Sequence, residues 1–194
     1  MAGIRLAVLT ACTGKGGGYL PPGASFGTDV VFTSQATFGF TFSCQKGDLK
    51  IELSYNEKGT SLIGAPFGIH GIVDNVNPVV ESGLCIGENP PPPPENQLKF
   101  LGGYYLTSSA PSGFPSTCAK KRTSTTPLCR FEVIVQDNDR SLSPSPGDDF
   151  SITLSNAVYT CTDLQDFSCS QLPAGALLFY TRAGKLAGGN ITVK

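Results

Sequence analysis

The densest group of residues able to do chemistry is acidic and lies between two strand-like stretches in the last third of the chain. Carboxylate oxygens are the ligands that calcium prefers, and the ion takes about six to eight oxygens. The spacing does not match the EF-hand pattern, however, and aspartate is also a favoured turn residue because its side chain bonds the local backbone. A calcium site and a turn are therefore both open, and no other cofactor is expected. The carboxylates are Asp137, Asp139, Asp148 and Asp149.

The sequence has few candidates for an acid–base catalyst. His70 is the single histidine, and it lies in the apolar stretch 67–73 (FGIHGIV), where packing in or beside a sheet is its more common role. No serine-nucleophile elbow, zinc-protease motif or phosphate loop accompanies it. Glu81, Glu88 and Glu132 show no spacing that selects a glycosidase pair. We therefore expect a protein that is not an enzyme.

Aromatic side chains offer a further route to ligand binding. Sugar rings stack on aromatic faces, but tyrosines also finish sheets at the water boundary, and the chain has no tryptophan. A calcium-dependent or carbohydrate-binding module is therefore the alternative function. The tyrosines available for such a platform are Tyr55, Tyr104, Tyr105, Tyr159 and Tyr180.

Seven cysteines indicate the compartment. No CxxC pair occurs, and a single histidine cannot complete a zinc site. Setting Cys12 apart leaves an even number, which predicts three disulfides in an oxidising, extracellular or cell-surface location. Short sequence spacing favours two bridges and leaves two cysteines for the third. These pairs are Cys118–Cys129, Cys161–Cys169 and Cys44–Cys85.

Cys12 follows a short apolar run. The stretch Leu9-Thr10-Ala11-Cys12 resembles the bacterial lipobox, with one arginine before it and a glycine-rich tether after it. The resemblance implies that Cys12 is lipidated, although only 11 residues precede it, fewer than in a usual signal peptide. Ile4 to Leu9 also alternates like a β-strand. In that second hypothesis the segment is retained and adds to the sheet edge of another copy, building a filament.

Charge and hydropathy exclude two classes of partner. Lysine plus arginine number 14 and aspartate plus glutamate 15, and the longest basic run is 120–122, so a surface that tracks phosphates is not expected. We expect no nucleic acid as a partner. No apolar run reaches the length of about 18 residues that a membrane span requires. Membrane attachment is therefore expected only through a lipid on Cys12.

The elements that must position these residues are strands. The stretch 130–155 alternates like a long-looped hairpin, and we expect its strands to be the central pair of a sheet. Its inward series are Phe131, Val133 and Val135, then Phe150, Ile152 and Leu154. Residues 38–44 and 49–55 repeat the same alternation.

High glycine and proline content, 23 and 15 residues, fits many short strands and turns. We predict an all-β fold, a disulfide-stabilised antiparallel β-sandwich of Ig-like or jelly-roll-like type with long loops. Residues 1–27 are predicted as an N-terminal apolar segment and glycine-rich tether, and residues 28–194 as a single domain. Five prolines at 90–94 predict an exposed polyproline rod.

Several strand motifs resemble a small β domain of secreted and cell-surface bacterial proteins, the post-COAP domain. These motifs are Phe38-Gly39-Phe40, Leu53-Ser54-Tyr55, 131–137 (FEVIVQD), 147–152 (GDDFSI) and 184–191 (GKLAGGNI). The insertions at 87–97, 107–128 and 161–173 depart from that family. The resemblance implies a secreted sandwich-like module and supplies no activity. We therefore expect a non-enzymatic extracellular structural or adhesive protein, either surface-anchored or a filament subunit.

Overall fold

The computed structural model describes most of the chain, and within that part all regular structure is β-strand. The described residues are 12–45, 48–59, 63–64, 66–73, 96–121, 128–138, 147–158 and 174–193. The strands are β1 Cys12–Leu20, β2 Gly23–Ala24, β3 Val31–Phe32, β4 Ala36–Gln45, β5 Asp48–Glu57, β6 Phe67–Val73, β7 Asn96–Leu106, β8 Cys129–Asp137, β9 Asp149–Val158, β10 Leu178–Lys185 and β11 Gly188–Val193. The all-β prediction is confirmed.

Nine of these strands form one antiparallel sheet, in the order β10-β9-β8-β7-β6-β5-β4-β1-β11. The two short strands β2 and β3 pair separately as an antiparallel ribbon. The antiparallel arrangement was predicted correctly. The described strands are arranged as one continuous sheet and a ribbon.

The sheet curls on itself, which brings distant strands face to face. Phe38 on β4 stacks on Phe150 on β9 with ring centroids 3.7 Å apart, although four strands separate β4 from β9 in the sheet order. Phe40 and Phe100 meet in the same way at 5.3 Å. The core is therefore the concave interior of the curl, filled mainly by aromatic and branched side chains.

The hairpin predicted over 130–155 is confirmed as β8 and β9. Its inward side chains pair across the two strands, as in Val133 with Ile152 and Val135 with Phe150. These side chains are fully buried or nearly so. The expectation that the hairpin forms the centre of the sheet is wrong, because β6 holds the middle position and β9 is next to the edge strand β10.

The glycine-rich stretch after Cys12 differs from the expected tether, because it forms β1 and pairs on both sides, with β4 and with β11. Its glycines make room for atoms of other strands, and Gly14 does so for the opposite side of the curl. A Cβ built on Gly14 would lie 2.5 Å from Leu98 Cδ2 of β7, closer than real contacts allow. A strand with side chains at such positions would push the curl open.

One end of the interior is covered by the loop that follows β7. Phe114 from this loop is buried and packs edge-on against Phe67 and Phe179, with centroids 5.7 and 5.0 Å apart. The Cys118–Cys129 disulfide joins the loop to the start of β8, with a Cα–Cα distance of 5.4 Å. The predicted bridge is therefore confirmed. Within the described ranges there is no helix with the length and apolarity needed to cross a bilayer.

Candidate functional site

The most concentrated polar chemistry of the described residues lies inside the core. Arg182 of β10 and Glu57, the last residue of β5, form an ion pair of 2.5 Å between Nη1 and Oε2. The Arg182 side chain is 2% exposed and the Glu57 side chain 0%. Removing two charges from water carries a large desolvation cost, so such a pair persists only when further hydrogen bonds satisfy both groups.

Arg182 has those further partners. Its Nη2 donates to the backbone carbonyls of Pro21 and Ser34 at 2.8 and 2.7 Å, and to the Leu20 carbonyl at 3.3 Å. The guanidinium also lies 4.3 Å from the centre of the Phe32 ring, a cation–π contact. One side chain of the edge strand β10 thus binds the end of β1 and the segments before β2 and β4.

Glu57 is satisfied in the same way. Its Oε1 accepts the Gly59 backbone N–H at 3.1 Å, and its Oε2 accepts the Tyr180 hydroxyl at 2.6 Å. The Tyr55 hydroxyl lies 2.5 Å from that of Tyr180. Because each hydroxyl has one proton, we assign a chain in which Tyr55 donates to Tyr180 and Tyr180 donates to Glu57. Both hydroxyl protons of Tyr55 and Tyr180 are therefore engaged in hydrogen bonds within the core.

Burial keeps these phenols protonated. It raises the pKa of Tyr55 well above the ordinary value, and the adjacent Glu57 carboxylate adds to the effect. The pKa of Tyr180 is raised by burial first and then by Tyr55 and Glu57. Burial alone raises the pKa of Tyr104. All three are therefore neutral hydrogen-bonding groups at physiological pH.

The outward backbone groups of the two edge strands, β10 and β11, are bonded by side chains and by one loop N–H, and not by a further strand. Ser25 Oγ accepts the Ala183 N–H of β10 at 2.9 Å, and the Phe26 N–H donates to the Ala183 carbonyl at 2.9 Å. On the other edge, carboxylates accept the outward N–H groups of β11. We call this set of contacts the seam, and its residues are Ser25, Asp137, Asp148 and Arg182.

Two of the predicted calcium ligands belong to the seam. Asp137 Oδ2 accepts the Val193 N–H at 3.1 Å, and Asp148 Oδ2 accepts the Ile191 N–H at 2.7 Å. The other oxygen of Asp148 accepts the Asn138 N–H at 3.0 Å. Both aspartates are buried, with 3% and 4% exposure. Their oxygens therefore replace the strand that would otherwise pair with β11.

The remaining carboxylates of the calcium hypothesis lie elsewhere. Asp149 Oδ2 accepts the Asn138 amide at 2.9 Å, and its Oδ1 is 3.3 Å from Lys185 Nζ in a half-exposed ion pair. Asp139 lies outside the described residues. Within the described ranges no group of three or more potential ligands has the arrangement of a metal site. Calcium binding stays a prediction.

The predicted tyrosine platform is not assembled by the residues named for it. Tyr55, Tyr104 and Tyr180 are buried in the interior, at 0%, 0% and 1% exposure, where no sugar can stack on them. Tyr105 is on the outer face, half-buried, with its ring 5.2 Å from that of His70. Tyr159 lies outside the described residues. His70 is therefore an outer-face residue in an aromatic contact.

The cysteine predictions divide into three groups. Cys118 and Cys129 are bridged as predicted. Cys12 begins β1 and Cys44 lies in β4. The rest of the cysteines and the proposed donor strand lie outside the described residues, namely Cys85, Cys161, Cys169 and Ile4 to Leu9.

Glu57 and Arg182 were not anticipated. Glu57 reads as part of a turn in the sequence, but it continues the inward alternation of Ile51, Leu53 and Tyr55. Arg182 likewise follows Tyr180 by two residues. The sequence signal for this pair was therefore one acidic and one basic residue, each at a strand position that the alternation predicts to face the core.

Comparisons of the chain with protein-family models, with curated proteins and with solved structures found no match.

Proposed function

We propose that the chain is a non-enzymatic structural or adhesive module that works outside the cell, at the cell surface or in an extracellular assembly. The observation that carries the proposal is the seam together with the buried Glu57–Arg182 ion pair. The charged groups best able to do chemistry, Glu57, Arg182, Asp137 and Asp148, are buried and bonded in ways that hold the sheet closed. Groups engaged in this way support a role as a scaffold.

The location is supported by the disulfide. Cys118 and Cys129 are bridged and buried, at 0% and 1% exposure. Structural disulfides persist in oxidising environments and are rare where glutathione keeps thiols reduced. In this proposal the curled sheet serves as the sandwich-like module predicted from the sequence, with the loop after β7 fastened over one end.

Attachment has two variants, a lipid on Cys12 or a retained segment Ile4 to Leu9 that adds to a neighbouring copy. The pairing of Cys12 with Cys44 in the β1–β4 ladder favours the retained segment. A lipidated cysteine at the end of a flexible tether would hold the module away from the membrane, whereas Cys12 is already paired in the sheet. We therefore propose the filament variant in preference to the lipoprotein.

The test is the native protein in its own cells. Fractionation is expected to place it outside the cytoplasm, and the intact mass is expected to include residues before Cys12. A mass that begins at Cys12 with acyl chains would establish the lipoprotein variant instead. Recovery only from the cytoplasm with reduced cysteines would overturn the extracellular proposal.

Ligand binding is tested separately. A glycan array probed with and without calcium is expected to show no binding above background. Calorimetric titration of calcium into chelator-treated protein is expected to give no heat and no rise in melting temperature. A calcium-dependent signal in either experiment would replace the scaffold proposal with the binding module.

A further inference from the structure

Two cysteines lie opposite each other in the sheet. Cys12 is the first residue of β1, Cys44 is the last but one of β4, and their Cα atoms are register partners. The pairing then continues without a shift from Thr13 with Ser43 to the far end of both strands. The juxtaposition is therefore part of a regular antiparallel ladder.

The backbone geometry of such partners suits a disulfide. Directly opposite residues of an antiparallel pair have Cα atoms about 4.5 or 5.5 Å apart, depending on whether they exchange hydrogen bonds. A disulfide needs a Cα–Cα distance of roughly 4.4–6.8 Å. Both kinds of pair fall within that range. The bridge therefore requires no rearrangement of the strands.

Strand alternation places both positions in the same series. On β4, Phe38, Phe40 and Phe42 are buried on the concave face, and position 44 continues that series. On β1, Gly14 pairs with Phe42, and position 12 is two residues before it. The two cysteine positions thus share a face as well as a register.

We propose that Cys12 and Cys44 form a disulfide between β1 and β4. The inference rests on the proposed extracellular location, since two thiols must lose two protons and two electrons. A thiol–disulfide oxidoreductase or oxidised glutathione accepts them, and its own disulfide is reduced to two thiols. This bridge excludes a lipid on Cys12 and excludes the Cys44–Cys85 pair that remained after the two closely spaced pairs were assigned.

The bridge gives β1 a covalent attachment to the sheet at its first residue. In the filament variant, Ile4 to Leu9 would pair with another copy, so tension between copies would act on the chain just before Cys12. The disulfide would pass that tension to β4 across the shared end of the two strands. It would also leave Cys85 as the cysteine without an assigned partner among the seven.

Peptide mapping tests the bridge directly, because trypsin places the three cysteines in separate peptides. The native protein is denatured with its free thiols blocked and then digested without reduction. The expected product is a linked pair of peptides 6–15 and 16–46, two hydrogen atoms lighter than their sum. A linked pair of 16–46 and 59–99 would overturn the proposal, as would a blocked thiol or an acyl chain on Cys12.

Two cysteine variants test whether Cys44 or Cys85 is the partner of Cys12. Cys85→Ser is expected to leave the 6–15 and 16–46 linkage unchanged, whereas Cys44→Ser should leave Cys12 as a blockable thiol. The Cys118–Cys129 bridge is the internal reference for the compartment. Its presence with Cys12 unbridged would refute this inference alone, and its absence from the native protein would refute the proposed location.

Discussion

Replacing Arg182 by methionine is expected to destabilise the protein severely. The change leaves Glu57 buried, at 0% exposure, without its cation. Breaking a buried ion pair from one side costs about 3–5 kcal/mol. The carbonyls of Pro21 and Ser34 also lose their donor, but both bonds are only part-buried, so water can replace it. We therefore expect a loss of about 3–5 kcal/mol, a large share of the stability of an ordinary domain.

Urea unfolding followed by circular dichroism and tyrosine fluorescence measures this loss as a shift in the midpoint at an unchanged slope. The matched control is Lys185→Met, which breaks a half-exposed pair with Asp149 and should cost at most about 1 kcal/mol. Adding Glu57→Gln to Arg182→Met should cost less than the two single changes summed, by about 2–3 kcal/mol. Strict additivity, or equal effects of the Arg182 and Lys185 changes, would refute the ion-pair argument.

Three further outcomes are expected. Gly16→Ala should cost about 1–3 kcal/mol in the same urea assay, because its Cβ would lie 2.8 Å from two core side chains. Gly39→Ala is the control and should show no such clash penalty, since the nearest atom to its Cβ is 3.9 Å away. Replacing Cys118 and Cys129 together by serine should cost about 3 kcal/mol, and an unchanged melting temperature would contradict this. The contribution of the buried tyrosines to stability should be constant below about pH 10 and fall above it, by up to about 1.4 kcal/mol per pH unit for each tyrosine, because the folded state keeps a proton that the unfolded state loses. A urea midpoint equal at pH 9 and about pH 11 would exclude the raised pKa values of Tyr55, Tyr104 and Tyr180.

Local alternation predicted the parts of the fold that depend on neighbouring residues. In the β8–β9 hairpin, Val133 and Ile152 are on the inward face because the side-chain period of a strand is two. The Cys118–Cys129 bridge followed from short spacing for a similar reason. Both features are fixed within a short length of chain, where sequence patterns carry most information.

The closure of the sheet depends on residues far apart in the chain and was not predicted. Glu57 and Arg182 are separated by 125 positions. In the sequence, Asp148 has the appearance of a turn residue. In the fold it accepts the N–H of Ile191, which is 43 positions away in the chain. A carboxylate that accepts a backbone N–H and one that binds calcium have the same sequence signature, so only the three-dimensional partner distinguishes them.

The glycine-rich strand was missed because glycine is depleted in strands on average. Its use in β1 has a cause that lies on other strands, since a Cβ at Gly14 would collide with Leu98 across the interior. Composition therefore favoured a tether, whereas the tight curl requires a strand without side chains at inward positions such as Gly14 and Gly16. The information that decides between them is the distance between opposite sides of the sheet.

The tight curl and the seam also limit how another copy can attach. The outward N–H groups of Ile191 and Val193 on β11 are taken by carboxylates, and Ala183 on β10 is bonded on the same outward side by Ser25 and Phe26. A strand that adds to a sheet needs such backbone groups to be unpaired. A donor segment arriving at either edge must therefore first displace the seam, and Asp148→Ala should make the β11 edge easier to enter. Increased association of that variant would locate the acceptor at β11, while unchanged association would place it away from the seam.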